Sequence, residues 1–176
     1  MKKFIIATVF TLLPSLFFAQ QSVFDKFDGP ADVTTVVVSK KMFEMIGNVK
    51  MEGKDKETQQ YLKLVKKLHN LKVFTTANTK IAADMKVTTE KYLKTAGLEE
   101  LMRVNDGGQN IRILIKTGAT STQIKELLMF IDGSGKNETV LMSLTGNFDL
   151  NELSVLTDKM NLPGGSVLDK ASKSKN

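Results

Sequence analysis

A chain of 176 residues with no cysteine and a single histidine, His69, can form no disulfide, take no lipid on a cysteine and run no Cys-His chemistry. Its formal charge of +6 is modest, and with 7% aromatic residues and no nucleic-acid-binding motif it argues against nucleic acid as a partner. Zinc draws on Cys and His, so a zinc site would have to be built almost wholly from carboxylates.

The chain opens with the three parts of a secretory signal: Met1-Lys2-Lys3 as a positive start, an apolar run over residues 4–13, and a cleavage position at Ala19-Gln20 after the break Pro14-Ser15. The apolar run is shorter than the roughly 20 residues a membrane-spanning helix needs, and the longest later one covers only residues 127–131. Residues 1–19 are therefore expected to be a signal peptide, residues 20–165 one soluble domain without a transmembrane segment, and residues 166–176, small and polar, a disordered tail. Removing 19 of 176 residues, Lys2 and Lys3 among them, leaves 157 residues and a charge of +4. Residues 40–80 hold ten lysines against Glu44, Glu52, Asp55 and Glu57, whereas residues 81–176 balance at twelve against twelve. The basic excess thus falls in one segment, as a patch for an anionic partner or as the solvated face of helices.

After a polar lead-in over residues 20–30, the β-branched run 33–38 predicts a strand, and Ser39 suits the N-cap of a helix. That helix would put Met42, Ile46 and Val49 on one face, weaken at Gly47 and end near Gly53. Tyr61, Leu64, Val65 and Leu68 have the spacing of a second helix, with Lys63, Lys66 and Lys67 on its far side. Residues 71–76 read as a strand. Asn78 or Thr79 then caps a third helix to Thr95, which turns Ile81, Met85 and Tyr92 inward and stops at Gly97.

Four strand-like runs follow, at residues 100–104, 111–116, 126–131 and 139–145, separated by turn-rich segments at 105–108, 118–121 and 132–135. That spacing predicts a β-meander. Residues 127–131, apolar on both faces, belong in the middle of the sheet. Asp149 with Glu152 three residues later resembles a capping box, opening a last helix that would bury Leu150, Leu153, Leu156 and Met160. The order β-α-α-β-α, then a meander and a C-terminal helix, predicts an α+β fold with a single largely antiparallel sheet of five to six strands and helices mainly on one face.

No catalytic, cofactor-binding or metal-binding residue follows from this pattern. Any Ser-His-Asp arrangement must use His69, which falls at the predicted end of the lysine-rich helix, where the dipole alone favours a histidine. Two acidic stretches, Asp25 with Asp28 and Asp32, and residues 132–138, lack the calcium-loop pattern. Gly47 to Lys54 imitates a phosphate-binding loop but has five residues between its glycines and Asp55 where Ser or Thr is needed. Met42, Met45, Met85, Met129 and Met142 occupy core-like positions. The candidate contact residues are Lys56, Lys63, Lys66 and Lys67, facing an anionic envelope component or acidic protein.

Val23-Phe24-Asp25-Lys26-Phe27, residues 36–43, Leu71-Lys72-Val73-Phe74 and the junction at residues 143–150 resemble an uncharacterised family of exported bacterial proteins, the domain-of-unknown-function family DUF4252. The resemblance covers roughly residues 22–162, implies a Gram-negative cell envelope as the location and carries over no catalytic residue. The reading is a binding or envelope-maintenance module rather than an enzyme. Its rivals are a small-ligand or lipid carrier, which needs an apolar cavity above the sheet, and a carboxylate-dependent hydrolase, which needs a cleft with two perturbed carboxyls.

Overall fold

The computed structural model of the protein describes residues 22–49, 56–106, 108–133 and 137–152. Strand β1 (Thr34–Ser39) turns into helix α1 (Lys40–Gly47) at Ser39, whose side-chain oxygen accepts a hydrogen bond from the Met42 amide. The helix stops at Gly47, short of Gly53, with the Asn48 amide bonded back to the Glu44 carbonyl. Gly47 is also where α1 meets the end of α2 (Lys56–Val65): a Cβ there would lie 2.4 Å from the Lys66 side chain.

Helix α2 ends at Val65, before the predicted Leu68. The Lys67 amide closes the turn on the Leu64 carbonyl at 2.8 Å, and Leu68 is already the first residue of β2 (Leu68–Thr76). Leu68 is buried, as its helical spacing requires, but it reaches the core from a strand. His69 is consequently an exposed strand residue, not a helix terminus. Pairing with a neighbouring strand gives these amides long-range partners, which outweighs a helix propensity worth only tenths of a kcal/mol per residue, roughly.

Helix α3 (Thr79–Ala96) has the predicted ends. The Asn78 side chain accepts from the Lys80 and Ile81 amides, and Gly97 stops the helix in the left-handed region at φ 65°. The meander follows as β3 (Glu99–Asp106), β4 (Gln109–Thr117), β5 (Gln123–Asp132) and β6 (Thr139–Asp149). At the end of β6 the Glu152 carboxylate accepts from the Asp149 amide at 2.9 Å, the contact a capping box makes. Of the predicted last helix, a single 3-10 turn, Leu150–Glu152, falls within the described residues. Leu153, Leu156 and Met160, and the segments expected to be a signal peptide and a tail, lie outside them.

The six strands form one antiparallel sheet in the order β1-β2-β6-β5-β4-β3. The last strand inserts between β2 and β5, which puts β5 in the interior and explains its two apolar faces. Helices α1 and α2 bring Phe43, Leu64 and Val65 onto one face, against Ile113, Leu127, Met129 and Met142. The longest helix, α3, lies alone on the other, where Met85 packs with Phe74, Leu128, Phe130 and Leu141. Of the three α-helices among the described residues two thus share a face, but both faces are covered.

Two expectations change. The lead-in is not simply polar, because Phe24 and Phe27 are 1% and 2% exposed and complete the α3-side core, with Phe27 edge-to-face on Phe74. Conversely, Met42 and Met45 are 50% and 58% exposed. The inward face of α1 runs through Phe43, Ile46 and Gly47, so the methionines and Val49 fall on its flank. Met85, Met129 and Met142 are core residues as predicted.

Candidate functional site

Side chains alternate along a strand, so Glu126, Leu128 and Phe130 of β5 share the α3 side with Lys72 and Phe74 of β2, Ser143 and Thr145 of β6, and Leu114 and Lys116 of β4. The register aligns them into cross-strand rows. Asn70, Thr145, Glu126 and Lys116 stand opposite one another across β2, β6, β5 and β4, and Lys72, Ser143, Leu128 and Leu114 form the adjacent row. Under the middle of α3 these columns are apolar. At this end they turn polar and floor a cleft of about 620 Å³, walled by Tyr92 of α3 and by Ser22 and Val23.

Glu126 is 8% exposed, unusual for a carboxylate, and both its oxygens lie 2.9 Å from the Tyr92 hydroxyl, which donates to them. Burial pushes the Glu126 carboxyl above the ordinary glutamate range, against the Tyr92 hydrogen bond and the Lys116 charge, which pull it down. Burial, then the charge of Glu126 and the bond to it, push the Tyr92 hydroxyl far above its usual value, so it remains a donor. The Tyr92 ring is held edge-to-face against Phe24 at 5.1 Å.

The N-terminal segment is fastened over the cleft by two ion pairs. Lys72 binds Asp25 in a partly buried pair, and Lys26 binds Asp84 of α3 at 2.7 Å. The Lys116 ammonium, which reaches Glu126 through its charge, and the Asn70 side-chain amide and the Ser143 and Thr145 hydroxyls make no side-chain hydrogen bond among the described residues, leaving donors beside the Glu126 carboxylate. Such a floor can hold an oxyanion. It lacks the paired free carboxyls of a glycosidase-type site, since Asp25 is bound to Lys72.

The structure does not bring the sequence-predicted lysines here. Lys56, Lys63, Lys66 and Lys67 are all exposed, but they belong to α2 and its exit, on the opposite side of the sheet. Lys67 is paired with Glu152 at 2.7 Å, and the Lys66 stem lies over Gly47. His69 lines a separate surface hollow with Gly118, Gln123, Lys125 and Asn147. Three residues of the acidic stretches have partners within the chain: Asp25 binds Lys72, Asp32 accepts from Asn78 at 2.8 Å and Asp132 pairs with Lys86 at 2.7 Å. Among the described residues no three His, Cys, Asp or Glu side chains gather as a metal-holding group.

Sequence reasoning found Tyr92 as an inward residue but missed Glu126, Lys72, Lys116 and Ser143. The signal was the alternation itself, which sets Glu126 in the same column as Leu128 and Phe130. Its convergence with Lys116 and Thr145 needed the strand order.

Among the described residues no helix is long and apolar enough to cross a membrane. No curated protein and no solved structure matches the chain. The sequence profile of the family described as "Domain of unknown function (DUF4252)" matches residues 27–156, from the buried Phe27 past the end of β6. That span is well over half of the chain and contains all six strands, so the protein belongs to the DUF4252 family.

Proposed function

We propose that this protein is an exported, non-catalytic binding module whose α3-side cleft takes a small envelope ligand through an oxyanion group, a carboxylate, phosphate or sulfate. The observation that supports this is the row Asn70, Thr145, Glu126 and Lys116 with Ser143 beside it: donors with no side-chain hydrogen bond among the described residues converge on one half-enclosed floor, next to a single carboxylate. The lipid-carrier reading gains nothing from a floor this polar. The buried Glu126 favours one second reading, a hydrolase in which it donates a proton, but a two-carboxyl mechanism needs a partner that Asp25, bound to Lys72, does not supply. The exposed lysines of α2 and its exit, on the other side of the sheet, are proposed as a separate contact for an anionic envelope component or acidic protein.

The test is a heteronuclear NMR titration with inorganic phosphate and with acetate. Amide shifts at Lys116, Glu126, Ser143 and Thr145 that saturate, and that are lost in Lys116→Ala, are the expected result. No saturable shift in this row with either anion would refute the reading. Turnover of an ester or glycoside that disappears in Glu126→Gln would replace it with the hydrolase.

A further inference from the structure

The two edges of the sheet are built differently. The β3 edge carries Glu99, Glu100 and Arg103, an Arg103–Glu100 ion pair and a register break between Glu100 and Met102, all devices that discourage pairing with another chain. The β1 edge has none of them: Thr-Thr-Val-Val-Val-Ser is uncharged, free of proline and paired to β2 without a break from Thr34 to Ser39. Its outer side has no strand partner among the described residues.

Exposed apolar surface gathers at this same edge. Of seven large exposed hydrophobic residues among the described ones, five are Val36, Val37, Met42, Met45 and Val49, in β1 and α1 or just beyond it. Gly47 marks the flank of α1 that meets α2. At 100° per residue Met42 and Met45 lie on the opposite flank, away from α2 and alongside the open edge.

We propose that β1 pairs with β1 of a second copy, giving a two-fold dimer with a continuous twelve-stranded sheet. An axis perpendicular to the sheet makes the strands antiparallel and keeps the α1 side of both copies on one side. Directly opposite residues must then share a face, so the axis passes through Val36 or Val37. Every pair formed within β1 is uncharged in either register. With the axis at Val36, Lys40 of each copy falls beside Asp32 of the other, so the acidic approach and the basic exit of the strand are complementary. The same operation sets the two methionine stripes side by side across the axis.

The experiment uses protein purified after expression of the full chain. Sedimentation velocity is expected to give twice the chain mass. Val36→Lys and Met45→Lys, at residues half exposed in one copy, are expected to keep the parent's circular dichroism and weaken association at least about tenfold, since Val36→Lys sets like charges opposite each other with the axis at Val36 and a charge against Val38 with the axis at Val37. The absence of cysteine permits a register test. Opposed Cα atoms roughly 4.5–5.5 Å apart across an antiparallel pair fit a disulfide, so Val36→Cys or Val37→Cys should cross-link on mild oxidation and Val87→Cys, exposed on α3, should not. A monomeric parent, a dimer indifferent to both lysine variants, or equal cross-linking at Val87 would overturn the proposal. Monomers that unfold more easily on Val36→Lys would show instead that β1 is covered by its own chain.

Discussion

The hydroxyl of Tyr92, on the cleft side of α3, is 2.9 Å from each carboxylate oxygen of Glu126 in the interior of the sheet. This contact joins the helix to β5, one of the two central strands of the sheet, at the point where the α3-side core gives way to polar rows. It also gives a buried carboxylate one of the partners that water would otherwise supply.

The pH dependence follows from the direction of the Glu126 shift. Its folded value is raised, so the stability it contributes is fully present below the ordinary 4.5 and is lost as pH rises through the folded value. Glu126→Gln keeps an acceptor for Tyr92 without the buried charge. It is expected to melt above the parent at neutral pH, with the difference closing below pH 4.5. Thermal denaturation across this range checks it, and a constant difference at all pH values would contradict it.

Tyr92→Phe removes the donor and leaves the carboxylate buried. A loss of about 1–3 kcal/mol at neutral pH is expected. Urea denaturation of the two single variants and of Tyr92→Phe with Glu126→Gln should show non-additivity, because the two groups share one interaction.

Two glycines separate conformational from steric demands. Gly97 is left-handed at φ 65° with open space around it, so Gly97→Ala should cost only about 1 kcal/mol, through the backbone. At Gly146 a Cβ would lie 2.6 Å from the Lys67 carbonyl, where β6 meets the turn into β2. Gly146→Ala is expected to cost more, as the register of two strands must shift, and parallel chemical denaturation of the two variants ranks them.

The lysines of α2 call for a cleaner variant than reversal of all four. Lys67 is paired with Glu152, so its reversal would place two like charges together. Lys63→Glu with Lys66→Glu should change stability by no more than about 0.5 kcal/mol. Co-sedimentation with an acidic polysaccharide should fall in this variant, and the parent's binding should fall with added salt. Equal sedimentation of parent and variant would leave these lysines as a solvated helix face.

The amino-acid sequence by itself determined the parts of this protein whose causes are local. Ser39 and Asn78 cap helices because their side chains reach amides two or three residues on, Gly97 ends α3 because the left-handed backbone suits it, and the four C-terminal strands announce themselves by alternation and turn residues. Tertiary structure decided what depends on partners far along the chain. Leu68 and His69 left the helix because β6 offered a strand to pair with, and Phe24 and Phe27 entered the core because α3 and the sheet left a gap for them. The cleft is the extreme case. Asn70, Lys116, Glu126 and Thr145 share one row only because β6 inserts between β2 and β5, a choice made by long-range burial of apolar faces that no local window of sequence contains.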